Sequence, residues 1–123
     1  MIARRGEIVH PSSTKAFAER HHCVYVVELD RAVLDKKRMQ KANPGCRSDL
    51  PPLYVGQTGL TPEARFAKHR SGVKANPYVR DHGVRLRPDL YGGFGRMTWE
   101  QSCITEQELA TRLREAGYAV WTN

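Results

Sequence analysis

Long apolar runs are missing from this 123-residue chain, and none of its hydrophobic stretches is long enough to span a bilayer. Met1 to Glu7 carries Arg4 and Arg5 with no apolar segment behind them. No secretory signal is therefore expected, and the cytoplasm is the expected location. Cysteine is scarce: Cys23, Cys46 and Cys103 are the only three, and no C-x-x-C pair occurs. An odd, unpaired set argues against a disulfide framework and against a structural zinc site. His21, His22 and Cys23 are adjacent, but neighbours on a strand point to opposite faces and do not readily chelate one ion. The glycine-rich run Tyr91-Gly92-Gly93-Phe94-Gly95 lacks both the Lys-Ser/Thr of a phosphate loop and the spacing of a dinucleotide fingerprint. It reads as a flexible connector. Internal repeats and low-complexity segments are also missing, and the length fits one ordinary domain.

Basic charge is what the chain has in excess. Lys and Arg total 20 against 13 acidic residues, a formal net charge of +7, while the hydrophobic fraction of 40% is ordinary for a globular protein. Such a balance favours polyanionic partners, because each neutralised phosphate releases a counterion. The alternative is a cationic surface that only keeps the protein in solution.

Residues 1–21 are polar and read as an irregular N-terminal arm with one short helical piece near Ser13 to Arg20; residues 22–123 read as the folded domain. Cys23 to Leu29 is β-branched and aromatic, which predicts a strand with Cys23, Tyr25, Val27 and Leu29 on one face. Arg31 to Lys41 is basic with scattered apolar positions and is read as a helix ended by Asn43-Pro44-Gly45. Pro51-Pro52 forces an extended entry into a second strand, Leu53 to Gly56. Thr61 as N-cap, Pro62 at the first helical position and Gly72 as terminator mark the next helix. Asn76-Pro77 opens a shorter helix closed by Gly83, and Val84 to Arg87 is read as a third strand. Thr98 and Gln101 have capping-box spacing, opening a helix that runs to about Ala116 before Gly117. Tyr118 to Trp121 is read as a last strand. Two strands followed by helices interleaved with short strands predict a small α/β or α+β domain.

Three groups of residues invite chemistry. Arg65 and His69 stand four apart on one helix and share a face. Arginine grips phosphate bidentately and histidine moves protons near neutral pH; a solvated polar stripe is the plainer reading of the pair. On the last helix, Ser102, Glu106, Leu109, Leu113 and Ala116 recur at helical spacing, which puts Glu106 on the core-facing stripe and Glu108 on the polar one. A buried unpaired carboxylate costs several kcal/mol (order of magnitude), so something must compensate it, and a divalent cation or a basic side chain would serve; a salt bridge to a core arginine, or a helix turned slightly from this register, is the plainer reading. Tyr25 and Tyr54 lie on strands, where a lone tyrosine is more often packing than chemistry. Gly56 and Gly59 bracket a tight exit toward the Arg65 helix.

In this order, the residues resemble the GIY-YIG nucleases. Cys23-Val24-Tyr25 stands for the first triplet, with Cys23-Val24 where glycine and isoleucine are usual. Tyr54-Val55-Gly56 stands for the second triplet, Arg65 and His69 match the helix that follows, and Thr105 to Leu109 resembles the segment bearing the metal-binding glutamate. Asn123 is the candidate for the family's late asparagine, and Arg31 to Pro52 makes the link between the first two strands longer than the usual hairpin. The resemblance implies a three-stranded antiparallel sheet flanked by helices and a metal-dependent endonuclease. In that reading Glu106 ligates one Mg²⁺ or Mn²⁺, Arg65 holds the scissile phosphate, and Tyr25 acts as or orients the general base, its pKa lowered by Arg65 and the ion. His69 receives or relays the proton, and Tyr54 orients the water or supports the phosphate. Gly56, Lys68, Arg70 and Lys74 would contact the nucleic acid, DNA more than RNA. Specificity would come from the Arg31 to Lys41 excursion or from a partner protein. A non-cleaving nucleic-acid-binding module of the same fold and a protein-interaction domain are the other expectations.

Overall fold

The computed structural model describes residues 20–123. The arm read over 1–21, with its short helix near Ser13 to Arg20, lies almost wholly outside the described residues.

The first strand, β1 (Cys23–Leu29), is buried at every position but Glu28, the signature of a strand with sheet on both sides. Strand β2 (Leu53–Thr58) pairs with it antiparallel, setting Tyr25 opposite Gly56 and Val27 opposite Tyr54. Strand β3 (Gly83–Leu86) pairs antiparallel on the other edge of β1. The last strand, β4 (Val120–Trp121), is only two residues long and runs parallel to β2. The sheet is thus four-stranded and mixed, in the order β3-β1-β2-β4, and corrects the expected three-stranded antiparallel one. The extra strand exists because Asn43 holds it: its Oδ1 accepts from the Val120 N–H at 2.8 Å and its Nδ2 donates to the Val120 carbonyl at 3.0 Å. Leu53 N–H donates to the Ala119 carbonyl at 2.8 Å and continues the seam.

The helix expected over Arg31 to Lys41 is two pieces. Asp30 caps a 3-10 turn, Arg31–Asp35, by accepting from the Ala32 N–H at 2.9 Å. Lys36 is extended and separates this turn from α1 (Lys37–Ala42). The other helices follow their local signals. In α2 (Pro62–Ser71) the Thr61 hydroxyl accepts from the Ala64 N–H, and Gly72 ends the helix at φ 86°, where a side chain would be strained. Asn76 caps α3 (Pro77–His82), α4 (Pro88–Tyr91) is a single turn, and α5 (Trp99–Glu115) opens on a complete Thr98–Gln101 capping box. Helix α5 buries Ser102, Glu106, Leu109, Ala110 and Leu113. Ala116, expected on that stripe, is exposed, because it is the C-cap beyond the last helical residue. The core is formed by the sheet valines and leucines with Val33, Met39, Val79, Leu109 and Leu113. Among the described residues no helix is long and apolar enough to cross a membrane.

Candidate active site

The site is built on the two central strands. The β1–β2 register sets Tyr25 opposite Gly56. A Cβ at Gly56 would come within 2.8 Å of both the Tyr25 and the Tyr54 ring. Glycine is therefore what lets the two phenols lie side by side, with ring centroids 6.1 Å apart. Gly56, expected among the nucleic-acid contacts, is itself buried beneath those rings.

Helix α2 carries His69 onto the same spot. His69 is fully buried and its Nε2 lies 2.8 Å from the Tyr25 hydroxyl. On the far side of the ring, the Asn76 backbone N–H donates to Nδ1 at 3.1 Å. An Nδ1 that accepts cannot carry the proton, so the neutral ring holds it on Nε2 and donates it to the Tyr25 oxygen. Burial, with the Arg65 charge adding to it, pushes the His69 pKa down to about 4. His69 is thus a neutral donor to Tyr25 near neutral pH.

The chain of contacts then closes on Tyr54. Asn76 Nδ2 donates to Asn123 Oδ1 at 2.7 Å, and Asn123 Nδ2 donates to the Tyr54 hydroxyl at 2.9 Å. Asn76 was legible only as a helix cap, and it does that as well, accepting from the Tyr78 N–H at 2.9 Å. Its second task depends on a backbone N–H and on a side chain 47 positions away, which no local pattern signals.

Arg65 is half-buried beside these groups and donates to the Lys74 carbonyl at 2.9 Å. Lys74 presents that carbonyl from a left-handed backbone, φ 47°, uncommon outside glycine. The Arg65 charge lowers both phenols, but burial is larger: it holds Tyr25 far above its ordinary value and, with the Glu106 charge, pushes Tyr54 up to about 12. The expected lowering by Arg65 is present and outweighed in the protein alone. Lys68, Arg70 and Lys74 are exposed, and the Arg70 guanidinium also sits over the Phe66 ring at 5.4 Å.

Glu106 reaches the group from α5. It is 9% exposed, yet no hydrogen bond or ion pair meets its carboxylate among the described residues. Burial alone raises its pKa to about 7. No basic side chain compensates it among the described residues, which leaves room for a cation. No cluster of three His, Cys, Asp or Glu side chains capable of holding a metal occurs among those residues. A single carboxylate, completed by waters and substrate oxygens, is the donor set of a hydrated hard ion such as Mg²⁺ or Mn²⁺.

The five side chains read as the reactive set, Tyr25, Tyr54, Arg65, His69 and Glu106, therefore come together from β1, β2, α2 and α5. Compared with known proteins, the chain matches no family model, no curated protein and no solved structure.

Proposed function

We propose that the chain is a metal-dependent endonuclease of the GIY-YIG type that hydrolyses phosphodiester bonds, with DNA as the favoured substrate. The observation that carries the reading is the meeting of an unpaired, buried Glu106 carboxylate with Arg65 and a hydrogen-bonded Tyr25–His69 pair. Hydrolysis of a phosphodiester needs a clamp on the anionic group, a water made nucleophilic and compensation for charge that builds up on oxygen. Arg65 serves as the clamp, its planar fork matching two phosphate oxygens. Tyr25 gives its phenol proton to solvent; the phenolate, stabilised by the His69 Nε2–H and the Arg65 charge, takes a proton from the attacking water, and solvent protonates the leaving oxygen. Tyr54, held by Asn123, supports the phosphate. Glu106 holds one Mg²⁺ or Mn²⁺, which supplies positive charge beside the phosphate when bound. Exposed Lys68, Arg70 and Lys74 track the backbone without reading sequence.

A plasmid-nicking assay with Mg²⁺ or Mn²⁺, run beside Glu106→Ala and Arg65→Ala, tests this. Nicking by the wild type alone supports the reading. Salt-dependent binding without nicking would make the chain a non-cleaving nucleic-acid-binding module instead. Equal nicking by all three proteins would assign the activity to a contaminant.

A further inference from the structure

Next to the tyrosines lies a cleft that the cleavage chemistry does not use. It measures about 360 Å³ and is lined by Arg38, Asn76, Tyr78, Trp121, Thr122 and Asn123. That volume falls in the range of roughly 300–1,000 Å³ typical of small-molecule sites. Asn76 and Asn123 are the same residues that link His69 to Tyr54, so the cleft opens directly off the reactive group. Tyr78 and Trp121 meet edge to face, centroids 4.9 Å apart at 77°. An edge-to-face pair consumes one face of one ring only, leaving a π-surface for a third ring.

The polar equipment also points to one class of ligand. The Trp121 indole N–H and the Thr122 hydroxyl make no hydrogen bond among the described residues. Asn76 and Asn123 each donate once from an amide that has two N–H groups. Arg38 stands on α1 with Lys37 and Lys41; all three are exposed and none is in an ion pair among the described residues. An aromatic slot with spare donors in its lining and the Arg38 guanidinium beside them matches a heteroaromatic ring attached to a phosphate chain.

We propose that this cleft is a subsite for one unpaired nucleobase next to the phosphate that is cut. The base stacks on the Tyr78–Trp121 pair, its edge meets Asn76, Asn123 and Thr122, and Arg38 holds the following phosphate. A base inside a duplex is stacked on both faces and enters only where its pair opens, as negative supercoiling allows in a plasmid. The subsite therefore selects strands that are single or locally unpaired at the cut. This deepens the endonuclease reading and rests on it for the identity of the polymer.

The test uses the full chain in EDTA, where no cutting occurs. The probes are a single-stranded DNA dodecamer carrying one 2-aminopurine, the same sequence as a duplex, and a dodecamer with abasic positions around the probe site. Wild-type protein is expected to quench the 2-aminopurine and to bind the intact strand about tenfold tighter than the abasic one, the size expected for one stacked base. Trp121→Leu should remove the quenching and the tenfold preference while leaving duplex affinity unchanged. Should that variant fail to fold, Arg38→Glu, at an exposed position, should lose single-strand affinity more than duplex affinity. Equal affinity of the wild type for intact and abasic strands, without quenching, overturns the subsite. Cleavage in Mn²⁺ that ignores the missing base would leave the nuclease and remove the subsite. Base-dependent binding with no cleavage would keep the subsite and remove the nuclease.

Discussion

Asn43 and Glu106 are both buried polar side chains, 5% and 9% exposed, and their surroundings are opposite. Asn43 donates to the Met39 and Val120 carbonyls and accepts from the Val120 N–H and the Arg114 guanidinium, at 2.8 to 3.0 Å. Every hydrogen-bonding valence there is met inside the fold, and the result is architecture: α1, α5 and β4 are pinned together. Around Glu106 none is met. The tyrosine group lies between these extremes, with His69, Asn76 and Asn123 linking the Tyr25 hydroxyl to that of Tyr54. Holding the charged form of Glu106 there without a partner costs stability, and its raised pKa, about 7, records that cost. The contrast separates what the fold needs from what it reserves for a ligand.

The comparison breaks most visibly in activity. Glu106→Gln and Arg65→Ala should each lower kcat/KM for DNA nicking by at least about a hundredfold, and Tyr25→Phe similarly, from the usual size of lost electrostatic or general-base catalysis. Circular dichroism should be unchanged in all three. A Tyr25→Phe enzyme within threefold of wild type would remove Tyr25 from the chemistry.

Asn43→Ala should do the reverse. Loss of several buried hydrogen bonds costs about 2–4 kcal/mol of stability, read as a lower midpoint in urea. A midpoint unchanged from wild type would show that β4 does not depend on this clamp.

Glu106 makes stability depend on pH in a direction that Asn43 cannot. Its folded pKa, about 7, lies above the ordinary 4.5, so the folded protein holds this proton more tightly than the unfolded chain. Stability without metal should therefore fall as pH rises from 4.5 to about 7 and then level off, a loss of about 3 kcal/mol. Glu106→Gln should flatten that slope and be the more stable protein at pH 8. Urea titrations at pH 5 and 8 decide it; parallel slopes for the two proteins would contradict the placement of the carboxylate.

The smallest effect belongs to the chain of asparagines. Asn76→Ser keeps an oxygen to cap α3 and removes the N–H that reaches Asn123. Loss of one positioning hydrogen bond, about 1 kcal/mol, should lower kcat several-fold at constant KM, while the thermal midpoint moves little. A change confined to stability would make Asn76 a cap and nothing more.

Much of this fold was legible locally. The Thr61-Pro62 start, the Gly72 stop and the Thr98–Gln101 box are signals carried within one turn of chain, and α2 and α5 follow them. Glu106 was legible because one charged residue on an apolar stripe is conspicuous. The last strand was legible as Tyr118 to Trp121, but its place in the sheet was not: it runs parallel to β2, and its partner Asn43 is 77 positions away. The break at Lys36 was hidden because each piece buries a single apolar anchor, Val33 and Met39, too little for a period to show. Asn76 escaped because a backbone N–H has no side-chain signature, and the Tyr78–Trp121 cleft because its walls meet only after folding.

The most direct measurement is the anomalous difference density of crystals soaked in Mn²⁺ at pH 8. A peak within ligating distance of the Glu106 carboxylate, open toward Arg65 and Tyr25 and missing in Glu106→Gln, is the expected result. A fully occupied ion elsewhere, with the Glu106 carboxylate still bare, would contradict it.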